Sequence, residues 1–270
     1  MSTEITRISA NDDIFERPDF LEDRLVFNYI DNARQDESTE FYSDEKHVIV
    51  CRKKDNKSVW IWTDNETSTN VDIVANIAKV VKEFNVQGLE FFTKPQIAQI
   101  FSDMYALVSN ELDYQVKSEY SLGTYVFSPK STLQNDDITV LKYNKKFFDK
   151  LLGFYMELKD EFHWSEEKAE RMVKKFTKLN VYLLLKNSEI ISVCVISNDT
   201  DNCSSIRSVA TKQSQRNNGY GTLVTNISSV MHQKADTTLM LYANNGNRSA
   251  VSTFKKAGFE LIGNVHLIKS

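Results

Sequence analysis

The chain has 270 residues, of which 41% are hydrophobic, 26% charged and 11% aromatic, so it has the means to bury a core and is not read as disordered. At roughly 100–200 residues per domain, two domains are expected. The formal charge of −4 hides an asymmetry: residues up to Asp137 hold 14 Lys+Arg against 25 Asp+Glu, and those from Ile138 hold 19 against 12. A basic half can attract a polyanion, but its lysines are spread over helical segments such as KKFFDK and RMVKKFTK, where a solvated helix face is the simpler reading.

Taken in chain order, residues 13–35 read as a helix, with Phe20, Leu21, Leu25, Val26 and Ile30 at helical spacing. HVIVCRK and SVWIWT read as two strands joined by the polar turn KDNK. VDIVANIAKVVKEF follows as a helix and QGLEFFT as a strand. KPQIAQIFSDMYAL is a helix with Pro95 in its first turn, where proline is tolerated, and YSLGTYVF a strand. SPKSTLQNDD, residues 128–137, is polar without periodicity and reads as a linker between domains at 1–130 and 138–270.

The second half opens with the strand ITVLKY and two helical patterns, KKFFDKLLGFYMELKDEF and SEEKAERMVKKFTKL, the latter preceded by half a capping box. VYLLLKN and EIISVCVIS form a strand pair across Asn187-Ser188. SSIRSVAT is a third strand, GYGTLVTNISSVMHQKA a helix, TTLMLYAN a strand, NRSAVSTFKKAG a helix ended by Gly258, and FELIGNVHLIK the last strand. The pattern is α/β, with a mixed sheet flanked by helices. Strand, strand, helix, strand, helix, strand occurs at 47–127 and again at 181–269, which suggests two tandem copies of one architecture.

Cys51, Cys194 and Cys203 are an odd number without C-x-x-C spacing, so neither a disulfide framework nor a metal site is expected. The opening MSTEITRISANDD lacks a basic and an apolar leader region, and no run of about 18 apolar residues occurs. The expectation is a cytoplasmic protein, monomer or homodimer, that binds neither membrane nor nucleic acid.

Between SSIRSVAT and the following helix lies Gln215-Arg216-Asn217-Asn218-Gly219-Tyr220-Gly221-Thr222. A helix N-terminus offers free N–H groups and the positive end of its dipole, and glycine lets an anion come close to that backbone. This is phosphate-cradling chemistry. A Walker loop is excluded because no lysine follows either glycine, and a dinucleotide fingerprint because no third glycine closes G-x-G-x-x-G.

R-x-x-G-x-G between a strand and a helix resembles the acyl-coenzyme A motif of the GNAT acyltransferase superfamily. The longer VATKQSQRNNGYGTLV resembles the form found in its two-domain members, including those similar to glycine N-acyltransferases. Downstream, Asn247 to Phe259 is similar to the superfamily's N-x-x-A-x-x-x-Y-x-x-x-G-F helix, and the resemblance covers residues 138–270. It implies a mostly antiparallel GNAT-like sheet with the N-terminal copy degenerate. The implied co-substrate is acetyl-CoA or another acyl-CoA, without a metal, and the implied acceptor is the primary amine of a small molecule or amino acid.

By the same resemblance, the N–H groups of Arg216, Asn217, Asn218, Gly219, Tyr220, Gly221 and Thr222 face the pyrophosphate. Val209, Ala210 and Thr211 pair with the pantetheine arm as with an added strand, and Asn247 and Phe254 lie on the cofactor-binding helix. The Val209 N–H is the oxyanion donor to the thioester oxygen while the neutral amine attacks directly. Two family features are absent: Phe254 stands where a tyrosine commonly protonates the leaving thiolate, and SSIRSVAT has no carboxylate to serve as base. A thiol of pKa near ~8.5 leaves adequately as thiolate, but acid and base stay unassigned. Glu161 and His163 with Trp164, Tyr242, and Asp199 with Asp201 are the alternatives, each with a structural reading beside it: a helix–helix turn, a core aromatic and a hairpin turn.

In the N-terminal copy the segment after SVWIWT is DNETSTN, acidic and without glycine, so no coenzyme A is expected there. Two other functions stay open at this stage: a coenzyme A-binding sensor or scaffold without turnover, and a nucleic-acid module resting only on the basic half.

Overall fold

The computed structural model describes residues 4–54, 56–109, 119–128, 131–135 and 137–269. The chain divides into two compact units, one comprising residues up to 124 with 244–246 and 262 onward, the other residues 125–243 and 247–261. Residues 129, 130 and 136 of the expected linker lie outside the described residues.

The first unit contains β1 (Thr6–Ile8), α1 (Pro18–Asp23), α2 (Asn28–Ala33), β2 (Thr39–Ser43), β3 (Val48–Lys53), β4 (Ser58–Thr63), α3 (Val71–Glu83), β5 (Glu90–Thr93), α4 (Pro95–Ser109) and the start of β6 (Glu119–Phe127). Side chains alternate across β4. Val59 and Ile61 pack with Val48 and Val50 against Ile73, Ile77 and Val81 of α3 and Phe101 of α4. Trp60 and Trp62 point the other way, edge-on to Phe27 and Phe20.

The single helix expected over 13–35 is broken. Pro18 opens α1 and holds the preceding Arg17 extended, so a short 3-10 turn and two separate helices replace it. Phe20 and Ile30 are buried as the spacing requires, but Leu21 is exposed.

The second unit contains β7 (Thr139–Lys142), α5 (Phe148–Glu157), α6 (Glu166–Phe176), β8 (Asn180–Lys186), β9 (Glu189–Thr200), β10 (Cys203–Thr211), α7 (Tyr220–His232), β11 (Thr238–Asn244, largely), α8 (Arg248–Lys256) and the start of β12 (Phe259–Lys269). Along β9, Val193 and Val195 face Leu151, Phe154 and Tyr155 of α5. Cys194 and Ile196 face Val224 of α7. All three cysteines are buried, and burial pushes the Cys194 thiol up to about 12.

Each unit has a mixed, mostly antiparallel sheet with the same strand order. In the first it runs β1-β2-β3-β4-β5, antiparallel until the parallel β4–β5 pair; in the second β7-β8-β9-β10-β11, antiparallel until the parallel β10–β11 pair. The two copies correspond element by element, and β1 and β2, which periodicity did not reveal, are the counterparts of β7 and β8. Residues 262–269 group with the first unit rather than with the rest of 138–270 because His266 to Lys269 pair antiparallel with β5. Among the described residues no helix is long and apolar enough to cross a membrane, and no His, Cys, Asp and Glu side chains cluster to hold a metal.

Candidate active site

The site begins with a fault in a strand. β9 and β10 pair from Cys203–Thr200 with Asp199 skipped on β9, run in register from Ser204–Asn198 to Ile206–Ile196, and then Ser208 pairs with Val195, so Arg207 is an extra residue on β10. Such a bulge reverses which face each following residue presents and turns the strand. Beyond it Val209 packs with the α7 side and Ala210 with the α5 side. Arg207 is fixed by Nε donation to Ser197 Oγ at 2.7 Å and by Asp199 Oδ1 at 2.7 Å from Nη2.

On its other edge β10 parts from its neighbour. The parallel pairing with β11 extends only over Cys203–Thr238, Ser204–Leu239 and Ser205–Met240, while β10 continues to Thr211. The Lys212 N–H donates to Ile191 O at 3.0 Å, and by the two-residue alternation of a strand Ala210 also faces β9. The main-chain groups of Val209 and Thr211 therefore face the split. In the first unit nothing comparable happens: β3–β4 pairs without a shift, and β4–β5 stays parallel from Ser58–Glu90 to Ile61–Thr93.

The end of the split is met by the N-terminus of α7. Gly219 precedes it at φ +78°, a left-handed conformation that favours glycine, and a Cβ built there would meet nothing within 4 Å. No side chain caps α7, so its first N–H groups stay open. The corresponding helix of the first unit is closed: Asn70 Oδ1 accepts from the Asp72 and Ile73 N–H groups at 3.1 and 3.3 Å. There Asp64, held below its ordinary pKa by Thr67 and His47 despite its burial, accepts the Thr67 N–H at 2.8 Å.

Split, open helix end and α8 enclose one cleft of about 730 Å³. Val209, Ala210, Thr211, Arg216, Asn217, Gly219, Tyr220, Gly221, Thr222, Asn247 and Phe254 line it; Asn218 does not, and its side chain instead donates to Gln215 O at 3.2 Å. Tyr220 is buried and its hydroxyl accepts from Lys186 Nζ at 2.8 Å, so it offers the cleft its backbone. Asn247 caps α8 through the Ala250 N–H at 3.1 Å. Arg216 and Lys256 bring positive charge, and Glu161 negative charge, to the lining.

A family model described as FR47-like protein matches residues 185–267, the span from the end of β8 through most of β12. An acetyltransferase of the GNAT family from Colwellia psychrerythraea superposes over 98% of this chain and 99% of its own, with a TM-score of 0.60 at 10% identity. A GCN5-related N-acetyltransferase from Sphaerobacter thermophilus gives 0.63 at 10% identity over 98% and 94%. A tandem GNAT protein from the clavulanic acid biosynthesis pathway gives 0.55 at 7% identity over 99% and 98%. The chain is a GNAT-fold protein. No curated protein matches it in sequence.

Within this GNAT-fold chain the candidates for acid and base separate. Glu161 lines the cleft but its Oε2 lies 2.5 Å from Arg216 Nη2. His163, at φ +52°, and Trp164 lie outside the lining; His163 is exposed, and Trp164 stacks on Phe162 at 4.7 Å. Tyr242 is half-buried in β11 and also lies outside the lining. Asp201 sits in the hairpin turn as expected, but Asp199 does not: it is a buried residue of β9, paired with Arg207.

Phe162, Gln215 and Ala250 also line the cleft without having been singled out, and among the residues that sequence reasoning passed over Ser249, Ser252, Thr253 and Lys256 form a polar set on α8. Their spacing of three, four and seven along one helix carried the signal. A polar stripe on the inner face of a helix with no buried residue marks a wall of a wet cleft rather than of a core.

Proposed function

We propose that this chain is an acyl-CoA-dependent N-acyltransferase, in its simplest form an acetyltransferase, acting on a primary amine of a small molecule or amino acid. One observation carries the reading: the split strand edge at Val209–Thr211 and the uncapped N-terminus of α7 open into a single cleft. A strand edge suits an amide-bearing arm, and an open helix end suits a diphosphate. The fit to coenzyme A is further supported by the void above Gly219 and by the two cationic side chains, Arg216 and Lys256.

Bound acyl-CoA supplies an activated thioester carbonyl. The N–H groups at the start of α7 hold the diphosphate, and Thr211 and Val209 orient the arm along β10. The Val209 N–H donates toward the carbonyl oxygen, a backbone dipole already in place before reaction. Phe254 lines the cleft edge-on to Phe259 and moves no proton; Glu161, occupied with Arg216, is not the base. The amine must be neutral when it attacks, so its ammonium first loses a proton to solvent in the open cleft; the new C–N bond then replaces the thioester C–S bond, coenzyme A leaves as thiolate, the remaining excess N–H proton also goes to solvent, and turnover rises with pH toward the amine's own pKa.

Isothermal titration of acetyl-CoA into wild type and Gly219→Glu tests the binding reading. Gly219→Glu adds a side chain and a negative charge where the diphosphate is placed, and circular dichroism checks that the variant folds. Micromolar binding lost in a folded variant supports the reading. Absence of binding by wild type refutes it. A product assay over a panel of amines then separates an acyltransferase from a coenzyme A-binding protein without turnover.

A further inference from the structure

The guanidinium nearest the proposed diphosphate position already has an anionic partner. Arg216 Nη2 lies 2.5 Å from Glu161 Oε2, and both residues line the cleft: Arg216 from the segment before α7, Glu161 from the turn between α5 and α6. Arg216 is also tied to β10, since its Nε and Nη2 each donate to Thr211 O at 3.3 Å. Letting go of Glu161 therefore leaves the guanidinium in place at the end of the split.

The turn that carries Glu161 is short and self-contained. Phe162 N–H donates to Leu158 O at 3.2 Å, Trp164 N–H to Lys159 O at 2.8 Å, and His163 adopts a left-handed conformation uncommon outside glycine. Phe162 enters the cleft lining beside Glu161. Phe162 is held by its own stacking on Trp164 and its packing against Tyr155, so the ion pair fixes the Glu161 end of the turn alone.

We propose that Glu161 is a built-in competitor for the cofactor anion: its carboxylate occupies Arg216 and latches the α5–α6 turn across the cleft until a diphosphate displaces it. The inference rests on the coenzyme A reading above. The pair is suited to exchange, because its side chains are 39% and 47% exposed and an ion pair in such a setting is weak. A diphosphate carries more charge than one carboxylate and gains the α7 N–H groups as well, so it wins Arg216. Glu161, then unpaired and facing a like charge, is driven outward, and the turn that carries it is loosened.

The test is titration of coenzyme A into wild type, Glu161→Gln, Glu161→Ala and Asp160→Asn. Asp160 is the adjacent carboxylate, 90% exposed and paired among the described residues with Lys159, so Asp160→Asn removes the same net charge without touching Arg216. The latch predicts about three- to ten-fold tighter binding for both Glu161 variants, the scale of one weak ion pair released plus one like charge removed, and less than about two-fold for Asp160→Asn. Hydrogen exchange over residues 158–164 provides the second readout: coenzyme A accelerates it in wild type, and in Glu161→Ala it is fast beforehand. Equal or weaker binding by the Glu161 variants, or an equal gain in Asp160→Asn, overturns the latch while leaving the coenzyme A site standing. No binding by wild type removes the site and the latch together.

Discussion

Asn226 Oδ1 accepts the Leu133 N–H at 2.8 Å from inside the second unit, where Asn226 is 2% exposed. Its Nδ2 donates to Ser131 O at 3.2 Å and to Ala257 O at 3.0 Å, so one buried amide fixes both the chain leading into the unit and the end of α8. Replacing it with alanine leaves three backbone groups without their partner. With about 1 kcal/mol per hydrogen bond, and more where a group stays buried, Asn226→Ala is expected to cost about 2–4 kcal/mol in denaturant unfolding. A shift below about 0.5 kcal/mol would mean that water replaces the amide freely.

The two units have the same strand order, yet only one has the split and the open helix end. Titration of coenzyme A is therefore expected to reach one equivalent per chain. Asn70→Gly uncaps α3 but leaves β4 and β5 paired, so it should cost about 0.5 kcal/mol of stability and create no second site. Two equivalents in wild type would show that the cap and the intact strand pair do not exclude the ligand.

The bulge depends on Arg207 and Asp199. Asp199 is buried with its side chain 2% exposed, and Arg207→Ala removes the guanidinium from that carboxylate while the Ser197 hydroxyl stays on it. A loss of about 2–3 kcal/mol is expected, because a buried charge that loses its ion-pair partner costs more than the pair gave. Arg207→Ala combined with Asp199→Asn should recover more than half of it, since a neutral amide tolerates the site. Additive losses in the double mutant would refute the pairing as the cause.

His232 ends α7 with Nδ1 3.2 Å from Tyr182 Oη and Nε2 3.1 Å from Ser204 Oγ. Burial, then Lys142 and Lys234, lowers its pKa in the folded chain below 6.5. The unfolded chain therefore takes up the proton first, and stability falls as pH drops below about 6.5, by at most about 1.4 kcal/mol per pH unit. The thermal midpoint is expected to decline from pH 7.5 to 5.5 in wild type, and His232→Gln should flatten that slope. An unchanged slope would assign the loss to other groups.

Most of the elements were legible in the chain itself, and the reasons are local. SVWIWT and EIISVCVIS are short apolar, β-branched or aromatic runs bounded by polar turns, as strands buried on both faces require, and the apolar spacing in VDIVANIAKVVKEF is a property of a helix with one buried face. The short strands TRI and TEFYS carried no such signal, because three to five residues are too few to show a period and their pairing is supplied by distant partners. The break at Pro18 was hidden by apolar residues on both sides that continue the helical spacing by coincidence.

The site divides in the same way. Gly219 and Gly221, the R-x-x-G-x-G order and the stripe on α8 are written in neighbouring residues, since a helix N-terminus and one helix face are built from a few consecutive positions. The sequence by itself thus determined the tandem α/β pattern, the glycine turn before α7 and the absence of such a turn in DNETSTN. Only the tertiary structure decided that Arg207 is an extra residue, that β10 leaves β11 after Ser205 while β4 keeps β5, and that Glu161 meets Arg216. Register and strand separation belong to two strands at once, and an ion pair spanning 55 positions depends on how the chain returns on itself; no single segment encodes either.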